Sequence, residues 1–407
     1  MRSVLALWRT ERQARWFFLA HLQGGLGTAA GYVALMLLAY ERIGSAWAAT
    51  AVLLADLLPA MLLGPLLGGL IDRSSRLGCA IAADLLRAAA FAGLIATGGI
   101  GPMIALALAA GLGSALFRPA TSALLPALVG GERLGAANAL YGVVRDGGQL
   151  LGPALAAGGL LAGGPELVLG INAATFALSA LLLARLRGHL RPAGVDAGPA
   201  PEATRAAIGA VLREPVVRTL MAGSGAIVLV AGTMNVAELV LAQRELRVGG
   251  TGFALLVSAY GCGLVAGSLL GAHDGDEDAI RRAYLTGLAV MGLGLLGSAL
   301  APVPAAAMAT FALTGLGNSL FIVSDRVLLQ RIVPAGLHGR AFGLLDSVDA
   351  WGFGGAVLAG GALATTVGGR VTFAVAGTGT LLVLAAAARA LAGERLATSL
   401  DLAPAVR

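Results

Sequence analysis

An all-α integral membrane fold, with about twelve transmembrane helices in two six-helix pseudo-repeats, is what this sequence predicts. Three observations carry the prediction. Of 407 residues, 57% are hydrophobic and only 12% are charged, where a soluble domain carries about 25% charged residues. Apolar runs of roughly 20 residues recur along the whole chain, the length that crosses about 30 Å of hydrocarbon. The third observation is an internal repeat. Leu124-Leu125-Pro126-Ala127-Leu128-Val129 falls 204 positions before Leu328-Leu329-Gln330-Arg331-Ile332-Val333, and in the same register Gly135 matches Gly339, Leu140 matches Leu344 and Gly148 matches Gly352.

In hydrocarbon a segment must satisfy its own backbone hydrogen bonds, so each apolar run is a helix. The runs place helices at 16–39, 46–70, 77–97, 101–118, 137–162, 166–186, 216–241, 251–272, 281–301, 303–325, 341–366 and 370–392. The first run starts at Trp16, after Arg9, Arg12 and Arg15, and is long enough to span, which reads as a retained helix and not a cleaved leader. The 61 glycines suit a bundle whose helix backbones approach closely. The longest polar break carries Pro192, Pro199, Pro201 and Pro215. It divides the chain into a bundle over 1–190, a cytoplasmic linker over 191–215 and a bundle over 216–407.

Orientation follows from the basic residues, all 28 of which are Arg. With the N-terminus inside, 22 fall in cytoplasmic segments, and only Arg42, Arg244, Arg247 and Arg370 fall outside. Arg87 and Arg145 sit within helices. That asymmetry puts both termini in the cytoplasm, in a multi-pass protein of the bacterial inner membrane. It also accounts for the net charge of +6 without a nucleic-acid partner. The absence of Lys excludes a P-loop and a Lys Schiff base. Cys79 and Cys262 lie in different halves, and neither has the company a metal site needs. No metal and no cofactor are expected.

Two patterns mislead. Gly292-Leu293-Gly294-Leu295-Leu296-Gly297 has dinucleotide-fingerprint spacing but no preceding strand. His273-Asp274-Gly275-Asp276-Glu277-Asp278 lacks the spacing of a calcium loop and reads as a solvated acidic turn.

Gly68-Gly69-Leu70-Ile71-Asp72-Arg73-Ser74-Ser75-Arg76 resembles the signature loop of the major facilitator superfamily, G-x-L-x-D-R-x-G-R, with Ser75 in place of the second Gly. Asp84-Leu85-Leu86-Arg87, the stretch from Phe117 to Asn138, Asn235-Val236-Ala237-Glu238 and Gly339-Arg340 resemble the drug- and siderophore-exporting branch. The resemblance implies a major facilitator fold with a conformational latch formed by Gly68, Asp72, Arg73, Arg76 and Arg340. Asp72 would lie near the N-terminus of the helix at 341–366, where the helix dipole stabilises a carboxylate by about 0.3–1 kcal/mol. Gly148, Gly152 and Pro153 resemble an exporter motif of the fifth helix, with Ala156 and Ala157 where the family has Gly. A face of small residues with a Pro bend would let this helix pack closely, and it is expected to pack against the other half.

An ionisable residue inside the membrane is costly and marks a site. The candidates for proton coupling are Asp56, Asp146, Glu238, Asp346 and Asp349. Asp56 lies roughly 15 Å into its helix at 1.5 Å per residue. Asp346 and Asp349 are three residues apart and share a helix face. Arg145, the repeat counterpart of Asp349, is a charge partner for a carboxylate or one half of a structural pair. His21 reads as a satisfied polar residue. Gln23, Asn235 and Asn318, with Tyr32, Phe117 and Trp351, are candidates for an amphipathic substrate cavity, and helix–helix hydrogen bonding is the competing reading for the three amides.

The resemblance thus implies secondary active export of a small amphipathic compound, a drug, natural product or siderophore. Proton antiport and alternating access of the two halves would drive it, in a monomer whose partners are substrate, protons and the lipid bilayer. Uptake or uniport is the alternative within transport. A membrane-embedded enzyme or a lipid scramblase is the alternative of another class. The chain shows no nucleophile–base pair at a recognisable spacing, and it reads as no enzyme.

Overall fold

The computed structural model describes residues 12–72, 74–129, 134–186, 209, 212, 214–271, 277–333 and 338–392. Among them every regular element is helical. The elements are α1 (Arg12–Ile43), α2 (Ala46–Asp72), α3 (Arg76–Ala96), α4 (Ile100–Val129), α5 (Leu134–Ala184) and α6 (Pro215–Ala231). Then come α7 (Met234–Val240), running into a π-helical turn (Leu241–Glu245), α8 (Gly249–Gly271), α9 (Glu277–Leu300), α10 (Pro304–Ile332), α11 (His338–Thr366) and α12 (Gly368–Ala392). Among the described residues, ten helices have the length and hydropathy to cross a membrane.

The contacts divide the chain into two compact units, residues 1–195 with 248–258, and residues 196–247 with 259–407. In the first, α1 packs along α5, α4 packs on α2 and α3, and α3 packs on α5. The hydrophobic core of this unit includes Phe17, Phe18, Leu77, Leu124, Leu125, Leu128 and Leu183, all buried. In the second, α9 packs on α10 and α12, and α6 packs on α11 and α12.

Glycine decides how close these helices come. A Cβ at Gly111 of α4 would overlap the carbonyl oxygen of Asp56 in α2, and one at Gly113 would meet the Arg87 stem and the Ala83 carbonyl in α3. In the second unit a Cβ at Gly315 of α10 would overlap the carbonyl of Tyr260 in α8, and one at Gly317 would meet Met291 and the Gly287 carbonyl in α9. Each of these residues lies 204 positions after its counterpart, so the register of the sequence repeat is also a register of backbone contacts.

The structure corrects three helix boundaries. Reading the fourth and tenth helices as ending at 118 and 325 took Arg118 and Asp325-Arg326 as membrane edges. α4 instead runs to Val129 and α10 to Ile332, because Leu124, Leu125 and Leu128 in one, and Leu328, Leu329 and Ile332 in the other, are buried. The helix read over 216–241 is broken. α6 stops before Gly232, where a Cβ would overlap the Val228 carbonyl. Thr233 Oγ1 donates to the Val230 carbonyl at 2.8 Å and Asn235 Nδ2 to the Gly232 carbonyl at 2.8 Å. Both carbonyls also accept from backbone amides, Val230 from Thr233 N at 3.4 Å and Gly232 from Asn235 N at 3.1 Å, so the break stays hydrogen-bonded, as a discontinuous helix in lipid requires. In α5 the backbone leaves helical geometry at Gly163 and Gly164, with φ +75° at Gly164, between the two helices read at 137–162 and 166–186.

Within the first unit, the glycines of α5 set one close approach. A Cβ at Gly148 would meet Gly25, and one at Gly152 would meet Ala29 and the Leu26 carbonyl. Gly148 and Gly152 of α5 thus meet α1. Gly27 and Gly31 complete that seam, making room for the Thr175 and Asn172 side chains of α5.

Candidate functional site

Charged side chains are buried in both units. In the first unit, Arg87 of α3 is 6% exposed and pairs with Asp84 one turn earlier, which is fully buried. The guanidinium carbon sits 4.1 Å from the Phe117 ring centroid and 4.2 Å from that of Phe176, so two aromatic faces sandwich the cation. Such contacts strengthen when water is excluded. Gly113 supplies the space for the Arg87 stem. Asp56, half-buried on α2, lies within electrostatic range of the same guanidinium. His21 stacks near Phe17, Phe117 and Tyr141, with ring centroids 4.1, 5.3 and 5.2 Å away. Its Nδ1 meets the Phe17 carbonyl at 2.8 Å, and among the described residues its Nε2 has no hydrogen-bond partner.

The second unit contains a cavity of about 240 Å³. Its polar wall is Ser224, Asn235, Tyr260, Asn318, Asp325, Arg326 and Asp349, and its apolar wall includes Ile227, Met291, Phe321 and Phe353. Ser224 Oγ donates to Asp349 Oδ1 at 2.8 Å, and Asn318 Nδ2 donates to Tyr260 Oη at 2.6 Å. Asp325 is 3% exposed, and among the described residues its Oδ1 has no hydrogen-bond partner. Tyr284 stands in electrostatic contact with Asp325, fully buried, its hydroxyl also without a partner. The break after α6 brings the Gly232 backbone to the cavity as well. Glu238 of α7 is 4% exposed, and no ion pair of it occurs among the described residues. It lies within electrostatic range of Tyr260.

Of the residues singled out by sequence, Asn235, Asn318 and Asp349 come together in this cavity. Asp346 does not join Asp349. Its side chain is 68% exposed and lies 3.8 Å from Arg326, itself 47% exposed. Trp351 is 59% exposed and is not part of the cavity lining. Gln23, Tyr32 and Phe117 belong to the first unit. There Gln23 Nε2 donates to the Ala20 carbonyl at 3.0 Å, Tyr32 is half-buried and Phe117 faces Arg87. Pro153 is buried in α5. Gly68 and Asp72 lie in the last turns of α2, and Arg76 opens α3, half-buried. Arg73 lies outside the described residues, as do the side chains of Asp72, Arg145, Asp146 and Arg340.

Sequence reasoning missed Asp325, Tyr260 and Ser224. Asp325 was hidden by the boundary error, since it sits about two turns inside α10 and not at its end. The apolar run Val327-Leu328-Leu329 after Arg326 was the available signal. The Arg87 cage was visible only as a four-residue likeness, because its aromatic partners come from α4 and α5.

Helices of spanning length with charges sequestered inside define a polytopic membrane protein. The family model described as Major Facilitator Superfamily matches residues 16–242 and 220–401, and the chain belongs to that family of transporters. The uncharacterized MFS-type transporter YfiS of Bacillus subtilis (strain 168) is 25% identical over 384 residues, covering 90% of this chain and 89% of that protein. Among solved structures, the nucleoside transporter NupG superposes with TM-score 0.77 at 12% identity, over 94% of this chain and 100% of that one. A bacterial homologue of the iron transporter ferroportin, inward-facing, gives 0.75 at 17% identity, over 93% and 98%. A bacterial homologue of the human lysosomal transporter Spinster, inward-facing and unoccupied, gives 0.69 at 14% identity, over 94% and 95%. These likenesses are of fold.

Proposed function

We propose that the protein is a secondary active exporter of a small amphipathic compound, driven by proton antiport through alternating access. It would act as a monomer of two six-helix repeats in the bacterial cytoplasmic membrane, with both termini inside. The observation that carries the reading is the second-unit cavity, whose lining combines apolar residues with Asp325 and Asp349. A carboxylate in such surroundings needs a counter-charge, either a proton or a cationic ligand. Exchange between two such states is what couples a carrier to a proton gradient. Export as the direction is supported by the likeness of Gly148, Gly152 and Pro153 to the exporter motif.

The test is transport in proteoliposomes under an imposed pH gradient, with a panel of amphipathic dyes and siderophores. Uphill movement of at least one compound against proton flow, abolished by a protonophore, is expected. Movement that only follows the compound's own gradient would replace the reading with uniport.

A further inference from the structure

We infer that the cavity of the second unit receives a cationic nitrogen, so that the transported compound is an amphipathic organic cation. The inference rests on the transport reading above and narrows it to a substrate class.

The charge balance around the cavity gives the argument. Three charged side chains line it, Asp325, Asp349 and Arg326. Arg326 shares its charge with Asp346, and both of those side chains are substantially exposed to solvent. Two carboxylates therefore remain for one shared cation. Asp349, half-buried, accepts from the Ser224 hydroxyl, and Asp325 is almost fully buried, with an Oδ1 that lacks a hydrogen-bond partner among the described residues. The other polar members of the wall, Asn235, Tyr260 and Asn318, are uncharged. Tyr284, behind Asp325, is a neutral phenol.

That arrangement discriminates among ligands. A neutral compound supplies no counter-charge to the two carboxylates, whereas a cation gains their attraction. An anion would meet two carboxylates in a medium that screens poorly. A bare calcium or magnesium ion needs about six or more oxygen ligands, and no group of three His, Cys, Asp or Glu that could hold a metal occurs among the described residues. The apolar wall fits instead the carbon substituents of an ammonium group, and its rings, Phe321 and Phe353, suit a cation further.

The experiment uses the full-length protein in nanodiscs with no gradient. Binding of benzyltrimethylammonium is compared by calorimetry with that of its neutral carbon isostere, neopentylbenzene, and with sodium chloride alone. The cation should bind about tenfold or more tightly than the isostere, a difference of about 1.4 kcal/mol. Asp325→Asn and Asp349→Asn should each remove most of that preference, while Asp346→Asn should keep it. Equal binding of the isostere, no binding of the cation, occupation by sodium alone, or wild-type preference in Asp325→Asn would each overturn the inference. If Asp325→Asn fails to fold, the cation–isostere comparison on the wild-type protein decides alone. Because no gradient is imposed, loss of proton coupling with cation preference intact would refute the antiport reading and leave this inference standing. Proton-coupled transport without cation preference would do the reverse.

Discussion

Replacing Arg87 by Leu is the most severe test of the buried charge centre in the first unit. Asp84 has no solvent exposure and Arg87 only 6%, so the substitution strands a carboxylate in a dry interior. Removing one partner of such a pair costs about 3–5 kcal/mol. The guanidinium also leaves two ring faces at 4.1 and 4.2 Å, and with those contacts the loss is on the order of 5 kcal/mol. For a unit of roughly 150–250 residues each kcal/mol shifts the melting temperature by about 2–4 °C. An apparent Tm lowered by about 10–20 °C is therefore expected, measured by size-exclusion chromatography of detergent-solubilised protein after heating. Asp84→Asn should cost less, because Asp56 remains within range of Arg87. The double substitution Arg87→Leu with Asp84→Leu should recover much of the loss, since an apolar pair leaves no stranded charge. A shift smaller than about 2 °C in Arg87→Leu, or a double variant no more stable than the single one, would show that Asp84 is not held as a charge and would refute the reasoning.

Three further outcomes are expected. Gly315→Leu should separate α10 from α8 and lower stability by about 1–3 kcal/mol or more, and Gly111→Leu should do the same between α4 and α2. Equal melting of either variant and wild type would place those contacts in doubt. Arg42 donates to the carbonyls of Leu94, Ile95 and Thr97 at the end of α3 and meets Glu166 at 3.1 Å. Arg42→Ala should therefore destabilise more than Glu166→Ala, as thermal melting of the two would show; the reverse order would make the ion pair the dominant contact. Asp72→Asn, in the signature loop, should lower transport in proteoliposomes without loss of folded protein on size exclusion, and wild-type transport would return Asp72 to a topogenic role.

Hydropathy and the positions of Arg were enough to read a polytopic helical membrane chain, because a backbone in lipid has almost no alternative to the helix. The sequence also announced a repeat at 204 positions, from a handful of residues. Only the tertiary structure gave that repeat physical content, in the paired close approaches of Gly111 and Gly315 to the carbonyls of Asp56 and Tyr260. The ends of the helices show the same division. Arg42 of α1 meets Glu166 of α5, whereas Glu245 after α7 meets Arg370 of α12 at 3.5 Å and accepts from the Gly369 amide at 2.6 Å. Arg370 lies 204 positions after Glu166, with the opposite charge. A pattern search for identical residues cannot see such an exchange, because an ion pair is conserved in energy when both signs are swapped. The same holds for the sites. Single charges within apolar runs are legible one by one, since burying an ion is costly wherever it occurs. Which of them share a cavity was decided by packing, which buried Asp325 beside Asp349, turned Asp346 toward Arg326 and closed two aromatic rings on Arg87. Those neighbours come from different helices, and their separation along the chain carries no trace of their distance in space.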